Sequence, residues 1–433
     1  MKKKYIYLFI IQSFLINNVF AQMWKSYTSE NSGLSNNQVN AIAVSGDGTI
    51  WFATDDGLCA FDSVQWKVYK INDGLKSNMI NTISFLPHSS QELFVSSDSG
   101  ITILTVDKTD ITSIPKYINK SVNNIISNKV SAVEIDGKNN NWIGTADGLS
   151  IITNSGIYNF DERNGFENPK VNTLKTLPDD WVYIGTSGGG VNRLKYKGVD
   201  GISSASNIIT TWSGLASDTV LTIYVTDDTL RWYGTTQGVS THFGTDTKDI
   251  NYWWIYNTYT SGIAENYVRA IVRDKNHAMW FGTRKGISKM SADKSTWQTY
   301  TETDGLISNN IFDISVDKNN NLWIATDKGV SFFNNVILST KKLIPRIVEL
   351  SMTNFPNPFN PSTIIEYTIP RTSKVRLEVY DNLGKLIEVL VDKKLNPGNY
   401  RTQFKINGIT SGIYFYRLIT DKSVITKKMI LLK

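Results

Sequence analysis

Hydrophobic and polar positions alternate with a period of two along most of this chain, in short runs that Gly, Asn and Asp interrupt. Such runs predict β-strands joined by tight turns. In the stretch that begins at Trp24, the predicted strands are WKSYT, QVNAIAV, TIWFAT and GLCAF, and the predicted turns are SENSGLSNN, SGDG and DDG. A set of four such strands predicts one antiparallel sheet.

A short run recurs seven times: an aromatic residue, one or two small apolar residues, a Thr or Ser, two polar residues and a Gly. The copies read WFATDDG from Trp51, FVSSDSG from Phe94, WIGTADG from Trp142, YIGTSGG from Tyr183, WYGTTQG from Trp232, WFGTRKG from Trp280 and WIATDKG from Trp323. They begin 41 to 49 residues apart, a spacing found in β-propellers and in helical arrays. Because the units alternate with period two, we predict an all-β fold with a seven-bladed β-propeller.

The repeated run is predicted to be scaffold. Its tryptophans should be core residues between neighbouring blades, where each would bury about 150 to 250 Å². The Thr suits a strand end, and the closing Gly supplies the positive φ that a tight turn needs. The chain also predicts how the ring closes: no WxxYT strand follows Gly329 to Phe333, and an unpaired copy stands at Trp24 to Thr28. We therefore expect the N-terminal strand to complete the last blade.

WFATDDGL, NNQVNAI and WKSYT resemble the two-component-regulator propeller repeat, over residues 24 to 335. Phe94 with Ser97, and Tyr183 with Gly188 and Gly189, depart from that pattern, which leaves the turn geometry of those two blades open. Members of the family are best known as periplasmic sensor halves of hybrid histidine kinases that respond to glycans. Since no stretch of 18 or more apolar residues follows the repeats, we expect no transmembrane segment in the mature chain and no kinase output.

The chain divides into four predicted segments. Residues 1–21 have a positive start, an apolar middle and Ala21 before Gln22, which predicts a secretory signal peptide. Residues 22–338 are the predicted propeller and 339–353 a linker. Residues 354–433 contain the proline-rich run FPNPFNPST and then short alternating strands, which predict a small Ig-like sandwich.

PNPFNPST, VRLEVYDNLGK, NPGNY, SGIYFYRL and KKMILLK resemble the type A C-terminal sorting domain of type IX secretion cargo. The resemblance implies that the type IX machinery is a partner and that the protein crosses the outer membrane to become extracellular or attached to the cell surface. An adhesive Ig-like module is the alternative. The residues that carry the expected sorting signal are Pro356, Asn357, Pro358, Phe359, Gly384, Gly398, Gly412, Lys427, Lys428 and Lys433.

The charge distribution and the reactive residue types argue against several functions and assign none. Residues 354–433 carry a net charge of +7 and the signal peptide +3, against +6 for the whole chain, which leaves −4 for residues 22–353. The high pI therefore gives no support for nucleic-acid binding. His88, His242 and His277 lie in different repeats without metal-ligand spacing, and no nucleotide or nucleophile motif occurs. We predict no catalytic residue, no metal and no cofactor, and we expect the single Cys59 to be a small buried hydrophobe.

A ligand would bind where the loops that enter each innermost strand meet the hairpins after WxxT, since strands alternate in direction and both lie at one end of the ring. We expect a non-catalytic propeller that binds a glycan, a peptide or a surface partner. The alternative is a secreted enzyme, a polysaccharide lyase or glycan hydrolase, although a lyase of the streptogramin-inactivating kind needs a histidine at this end and His88 and His277 are predicted at the other. The candidate ligand residues are Asn37, Asp55, Asp56, Asp98, Asp147, Gln237, Arg284, Lys285, Asn310 and Asp327.

Overall fold

The computed structural model describes residues 24–86, 89–164, 166, 168–177, 181–197, 202–204, 209–226, 230–243, 253–335, 350–355, 357–396, 398–405 and 410–432. The chain forms two compact units, Met1–Val336 and Ile337–Lys433. The predicted signal peptide at 1–21, His88 and residues 339–349 of the predicted linker lie outside the described residues.

The described part of the first unit holds seven antiparallel sheets, which we number as blades 1 to 7. The N-terminal strand, β1 (Trp24–Tyr27), belongs to blade 7. Blades 1 to 3 comprise β2 (Val39–Val44), β3 (Ile50–Thr54), β4 (Gly57–Phe61) and β5 (Trp66–Tyr69); β6 (Thr82–Leu86), β7 (Ser89–Ser97), β8 (Gly100–Asp107), β9 (Asp110–Ile111) and β10 (Lys116–Ile118); and β11 (Val130–Ile135), β12 (Asn141–Thr145), β13 (Gly148–Thr153) and β14 (Gly156–Phe160).

The remaining blades follow the same order from the inside of the ring outwards. Blades 4 to 7 comprise β15 (Val171–Thr176), β16 (Val182–Thr186), β17 (Val191–Tyr196) and β18 (Ile202–Ser204); β19 (Val220–Val225), β20 (Arg231–Thr235), β21 (Gly238–His242) and β22 (Trp253–Tyr256); β23 (Ala270–Arg273), β24 (Met279–Thr283), β25 (Gly286–Met290) and β26 (Trp297–Tyr300); and β27 (Ile311–Val316), β28 (Leu322–Thr326) and β29 (Gly329–Phe333), which β1 extends. One-turn helices lie in the described loops at Ile71–Asp73, Lys120–Asn123, Glu162–Asn164 and Glu302–Asp304.

The innermost strands β2, β6, β11, β15, β19, β23 and β27 contact one another in this order, and β27 contacts β2 again. β1 pairs antiparallel with β29, so that Trp24 faces Phe333 and Tyr27 faces Val330. This is the pairing expected of an N-terminal strand that closes a ring. The prediction of an all-β propeller is confirmed.

The repeated tryptophans are buried between blades, as predicted. Trp51, Trp142 and Trp280 have no exposed side-chain surface. Trp51 packs with Ile83 and Leu93 of the next blade in one apolar cluster. Each tryptophan therefore contributes to the contact between neighbouring sheets rather than to a site.

The hairpin after each repeated run also has a structural explanation. The Thr54 hydroxyl donates to the Gly57 carbonyl at 2.8 Å, and Gly57 has a φ of +126°. Blade 4 differs, because the Thr186 hydroxyl donates to the carbonyl of Gly190 at 3.0 Å. The sequence left the turn geometry of this blade open; the structure shows a turn that is one residue longer, closed by Gly190 with a φ of +69° rather than by Gly189.

We call the end of the ring with these hairpins the loop end and the opposite end the turn end. At the turn end, one carboxylate organises the turn between the first and second strands in blades 3, 6 and 7. Asp317 accepts the amides of Asn319 and Asn321 and, at 3.2 Å, the indole N–H of Trp323. Asp136 and Asp274 bind Trp142 and Trp280 in the same way.

The second unit is a two-sheet β-sandwich, compatible with the predicted Ig-like fold. Its first strand starts at Ser351, inside the predicted linker. Residues from both sheets form one apolar core around Phe359, Tyr367 and Tyr416. The strands are β30 (Ser351–Phe355), β31 (Ser362–Ile369) and β34 (Gly398–Lys405) in one sheet and β32 (Ser373–Tyr380), β33 (Leu386–Leu395), β35 (Gly412–Ile419) and β36 (Val424–Leu431) in the other.

Candidate functional sites

The loops at the loop end are held by one recurring amide. The side-chain oxygen of Asn78 accepts the backbone N–H of Ile71 at 2.9 Å, and its carbonyl accepts the N–H of Gly57 at 2.7 Å. Asn128, Asn266 and Asn309 close their loops in the same way. Asn37 is one of this set, because its oxygen accepts the N–H of Ser29 at 2.8 Å. This candidate ligand residue therefore has a structural role.

In five blades a second recurring contact ties the loop to the third strand. Ser150, Ser240, Ser288 and Ser331 each accept a loop N–H through the side-chain oxygen, at 2.7 to 2.9 Å. Cys59 occupies this position in blade 1 and accepts the N–H of Ser35 through Sγ at 3.3 Å. The thiol is fully buried, and this burial raises its pKa. Cys59 is therefore buried as predicted, and it also anchors a loop.

In blades 1, 2 and 7 the first residue of the hairpin is an aspartate that accepts a hydrogen bond from a residue in the innermost strand or in the segment before it. Asp55 accepts from the Asn40 amide at 2.8 Å, and Asp98 accepts from the Asn81 amide at 2.8 Å. Asp327 accepts from Ser308 at 2.6 Å. Although partial burial acts the other way, the hydrogen bonds from Ser308 and Asn310 lower the pKa of Asp327.

The second residue of each hairpin lies farther out. Asp56 pairs with Lys70 at 2.6 Å between carboxylate oxygen and Nζ. The candidates Asp147, Gln237 and Lys285 are exposed. The hairpin candidates therefore fall into two rings, and the inner ring is largely occupied by bonds within the protein.

The innermost strands contain a position that links blades, which we call the seam position. It follows the Val or Ile that begins the strand motif, and in blades 1, 3, 4, 5 and 7 it is the extra residue of a β-bulge. From blade 1 to blade 7 the seam residues are Asn40, Asn81, Ser131, Asn172, Leu221, Arg269 and Phe312.

In blades 1 to 4 the seam residue joins one blade to the next. Asn40 donates to the Ile80 carbonyl at 2.8 Å, and Asn172 donates to the Val220 carbonyl at 2.9 Å. Asn81 and Ser131 make the corresponding bonds to Val130 and Val171. Four consecutive blades thus use a short polar side chain to satisfy the same carbonyl of their neighbour.

In blades 5 to 7 the seam residue does not make this bond to the neighbouring carbonyl. Leu221 and Phe312 have no donor in their side chains, and Arg269 donates through Nη2 to the side-chain oxygen of Asn310 instead. The Arg269 guanidinium lies 4.2 Å from the centre of the Phe312 ring. Blades 5 to 7 therefore form a sector of the ring whose seam residues do not bond the carbonyl of the next blade.

Arg269 is the centre of a compact group of side chains. The Arg284 guanidinium lies 4.1 Å from the centre of the Tyr267 ring and bonds Glu265 at 3.1 Å. Burial lowers the pKa of the Arg269 guanidinium. We call this group the Arg269 cluster: Glu265, Tyr267, Arg269, Arg284, Asn310 and Phe312.

Large apolar side chains protrude from the loops of the same end. Trp212, in the loop before β19, and Tyr259, in the loop before β23, are each 93% exposed. Ile71 and Val122 protrude from the corresponding loops of other blades. Exposed aromatic faces on successive loops are uncommon on a surface that serves only for solvation.

One carboxyl group lies at the contact between blades 7 and 1. Asp313 of β27 accepts the Ile42 N–H at 2.9 Å and the Ile314 N–H at 2.8 Å. Burial, which outweighs these two bonds, raises the pKa of Asp313 to about 6. Ser315 donates to the Ile42 carbonyl at 2.8 Å, so this contact relies on other residues than the seam position.

The described residues hold no group of three His, Cys, Asp or Glu side chains that could bind a metal ion. His242 is buried at the last residue of β21, and His277 lies in a turn at the turn end. Within the described part of the chain, no helix has the length and apolar character needed to cross a membrane.

In the sandwich, part of the predicted sorting signal converges on β36. Asn357 accepts the Ile430 N–H at 2.8 Å and donates to the Lys428 carbonyl at 3.2 Å. Phe359 donates to the Ile430 carbonyl at 2.8 Å and accepts the Leu432 N–H at 3.0 Å, and its ring is 2% exposed. Asn357 and Phe359 therefore cover one edge of the last strand.

The other sorting candidates are more scattered. Gly384 has a φ of +83° in the turn between β32 and β33, and Gly412 begins β35 opposite Leu431. Gly398 lies in the other sheet, opposite Ile369. Lys427 and Lys428 are exposed on β36. Pro358 follows Asn357 in the segment beside β36, and Pro356 and Lys433 lie outside the described residues.

Sequence reasoning did not single out Tyr267, Arg269 or Phe312. It concentrated on the hairpins, whose two variable residues stand out between Thr and Gly. The residue after the Val or Ile that begins the innermost-strand motif also varies, from Asn40 to Phe312. An alignment of the seven repeats on this Val or Ile would have shown where blades 5 to 7 depart.

Comparison with known families agrees with both sequence resemblances. Residues 353–432 match the secretion system C-terminal sorting domain. Residues 33–56, 262–285 and 305–328 match the two component regulator propeller. A search of curated proteins gave no match.

Solved structures share the fold. One is the extracellular domain of the putative hybrid two component system BT3049 from B. thetaiotaomicron, with a TM-score of 0.59, 18% identity, 94% of this chain covered and 57% of that chain. Another is PorZ, a surface component of the type IX secretion system of Porphyromonas gingivalis, with a TM-score of 0.55, 16% identity and 93% and 60% covered. A streptogramin B lyase has a TM-score of 0.54, 14% identity and 72% and 97% covered.

These identities establish the fold alone, and this chain spans about three fifths of the first two structures. Fold and tail together define an exported β-propeller protein. The chain carries two-component-regulator propeller repeats and a type IX C-terminal sorting domain. The sorting domain indicates export across the outer membrane to the cell surface or the extracellular space.

Proposed function

We propose that the exported propeller is a non-catalytic binding protein whose ligand contacts the loop end of the ring. The observation that carries the proposal is the change at the seam position. Four blades use this position for a bond between blades, whereas Leu221, Arg269 and Phe312 give up that bond in three consecutive blades. A repeat protein loses a stabilising contact in this way where another requirement acts on the residue.

The rim of the same end supports the proposal. Trp212 and Tyr259 are 93% exposed on adjacent loops, and each ring offers a flat apolar face to a partner. Their exposure costs solubility and gives no packing in return. Neither His242 nor His277 lies at the loop end, so these residues give no support to the alternative of a histidine-dependent lyase.

A pair of matched surface variants tests the proposal. Three proteins would be applied to arrays of glycans and peptides: the full chain, a loop-end double variant and a turn-end double variant. The loop-end variant carries Trp212→Ser with Tyr259→Ser, and the turn-end variant carries Val64→Ser with Ile114→Ser. All four side chains are about equally exposed, at 88% to 93%. We expect binding that falls about tenfold or more in the loop-end variant and stays unchanged in the turn-end variant.

Two results would contradict the proposal. Equal binding by both variants would place the ligand elsewhere on the protein. Release of unsaturated or reducing sugar ends from a polysaccharide, at a rate proportional to protein concentration, would establish an enzyme.

A further inference from the structure

The guanidinium of Arg269 is a cation without an ionic partner among the described residues. Its Nη2 donates to the Asn310 amide oxygen, and its plane packs on Phe312. Its Nε is buried and has no hydrogen-bond partner within the described part of the chain. A half-buried charge in this state is costly until an anion approaches it.

The carboxylates beside Arg269 are engaged elsewhere. Glu265 bonds both the backbone N–H and the guanidinium of Arg284. Asp327 accepts from Ser308 and, at 3.1 Å, from the Asn310 amide. Asn310 therefore stands between Arg269 and Asp327, accepting from the first and donating to the second.

The contacts of Arg269 differ from those of the seam residues in blades 1 to 4. In four other blades the seam residue satisfies a carbonyl of the next blade, which a short side chain does well. Arginine at this position makes no such bond. Its packing on Phe312 instead fixes the plane of a fork that can bind two oxygens of one anion.

We propose that the Arg269 cluster is the subsite that binds the acidic group of a carboxylated or sulfated saccharide. This inference rests on the proposed binding function of the loop end. Arg269 and Arg284 would bind the anionic oxygens. Tyr259, on the same loop as Glu265, would stack on a neighbouring sugar ring.

A saccharide fits this surface better than a peptide does. Tyr259, on the loop beside the cluster, is 93% exposed, and the amide of Gln237 is exposed on the hairpin of the neighbouring blade. A flat ring and an amide match the apolar faces and the hydroxyl groups of sugars.

The experiment compares charged and neutral forms of the same polymers on the full chain. Polygalacturonate would be tested against its carboxyl-reduced form, and dextran sulfate against dextran, by equilibrium binding at low and high salt. We expect the charged member of at least one pair to bind more tightly, with an affinity that falls as salt rises. The pair that responds identifies carboxylate or sulfate as the acidic group.

Variants then assign the effect to the cluster. Arg269→Gln keeps a donor for Asn310 and removes the charge, so we expect binding of the acidic polymer to weaken by about ten- to a hundredfold and its salt dependence to decrease. Arg163→Gln is the matched control, because it removes one charge from the same end at a residue paired with Asp161. Arg284→Gln, at an exposed residue, repeats the test should Arg269→Gln fail to fold.

Each other outcome overturns the inference in a recognisable way. Equal affinity for charged and neutral polymers, with no effect of either cluster variant, would reject the acidic subsite and leave the binding function standing. An equal loss in Arg163→Gln would show attraction to the overall charge only. Binding of peptides alone, still lost with Trp212 and Tyr259, would assign the loop end to a different ligand class.

Discussion

Blades 1 to 4 and blades 5 to 7 share a fold but differ at the position that joins one blade to the next. In the first group, Asn40, Asn81, Ser131 and Asn172 repeat one bond to the neighbouring carbonyl. In the second group, Leu221, Arg269 and Phe312 do not. Because the ring imposes the same surroundings on each blade, this difference separates residues kept for assembly from residues available for a ligand.

The contrast presupposes a closed ring, so the largest expected effect comes from opening it. Deleting residues 23–30 removes β1, which pairs with β29 and buries Trp24 and Tyr27. We expect the free energy of unfolding to fall by about 5 kcal/mol or more, since two large aromatic contacts and a strand are lost. Urea denaturation of the full chain and of the deletion measures this.

A control separates ring closure from the mere change of a terminus. Lys25→Ala alters an exposed residue of the same strand and should change stability by less than about 0.5 kcal/mol. If the deletion behaved like Lys25→Ala, β1 would not hold the ring.

The next prediction compares the two sectors directly. Asn172→Ala leaves the Val220 carbonyl without its donor, and we expect a loss of about 1 to 3 kcal/mol. Arg269→Met removes a half-buried charge and keeps an apolar stem on Phe312, so we expect no loss or a small gain. Urea denaturation of both variants gives the comparison. A loss in Arg269→Met as large as in Asn172→Ala would make both sectors equally structural and remove the basis of the proposed site.

Most of the scaffold could be predicted from the sequence, because its determinants are local and repeat. The Trp, Thr and Gly of WxxT-x-x-G each have one physical role, and the structure assigns those roles to Trp51, Thr54 and Gly57. The turn of blade 4 could not be predicted, because three glycines follow Ser187 and the sequence does not show which of them closes the turn.

The candidate site could be predicted only in part. Hairpin residues such as Asp55 and Arg284 were found from their place between Thr and Gly. Whether such a side chain is available to a ligand depends on its neighbours in space. The Asp55 carboxylate, for example, accepts a hydrogen bond from Asn40, which lies fifteen residues away in the sequence. Arg269 was missed for the same reason, since its significance lies in contrast with residues of other blades.

A smaller effect is expected at the contact between blades 7 and 1, where Asp313 and Ser315 bond Ile42 and Phe312 does not make the seam bond of blades 1 to 4. The pKa of Asp313 is about 6 in the folded protein against 3.8 ordinarily, so between these values the folded state holds a proton that the unfolded state has released. The free energy of unfolding should therefore fall as pH rises from about 4 to 6, by about 1 to 2 kcal/mol relative to Asp313→Asn. Urea denaturation of both proteins across this range measures it. Parallel pH profiles would show that Asp313 titrates normally.

The smallest expected effect tests, at the turn end, the same logic of comparing blades. Asp136, Asp274 and Asp317 each bind the indole N–H of the Trp six residues later, whereas blade 1 has Ser45 at this position and the Trp51 indole nitrogen is buried without a partner among the described residues. The Ser45 hydroxyl donates to the Asp47 carboxylate, so the test is made with Asp47→Asn present, which keeps two carboxylates from meeting. In that background Ser45→Asp should supply the missing acceptor and raise the free energy of unfolding by about 1 kcal/mol, because an N–H that is already desolvated gains a charged partner. The control Ser45→Asn, in the same background, offers a neutral acceptor of the same size and should give a smaller gain. If Ser45→Asp destabilised the protein, equivalent positions in two blades would not have equivalent surroundings. The differences between blades 1 to 4 and blades 5 to 7 would then reflect local packing rather than a ligand site.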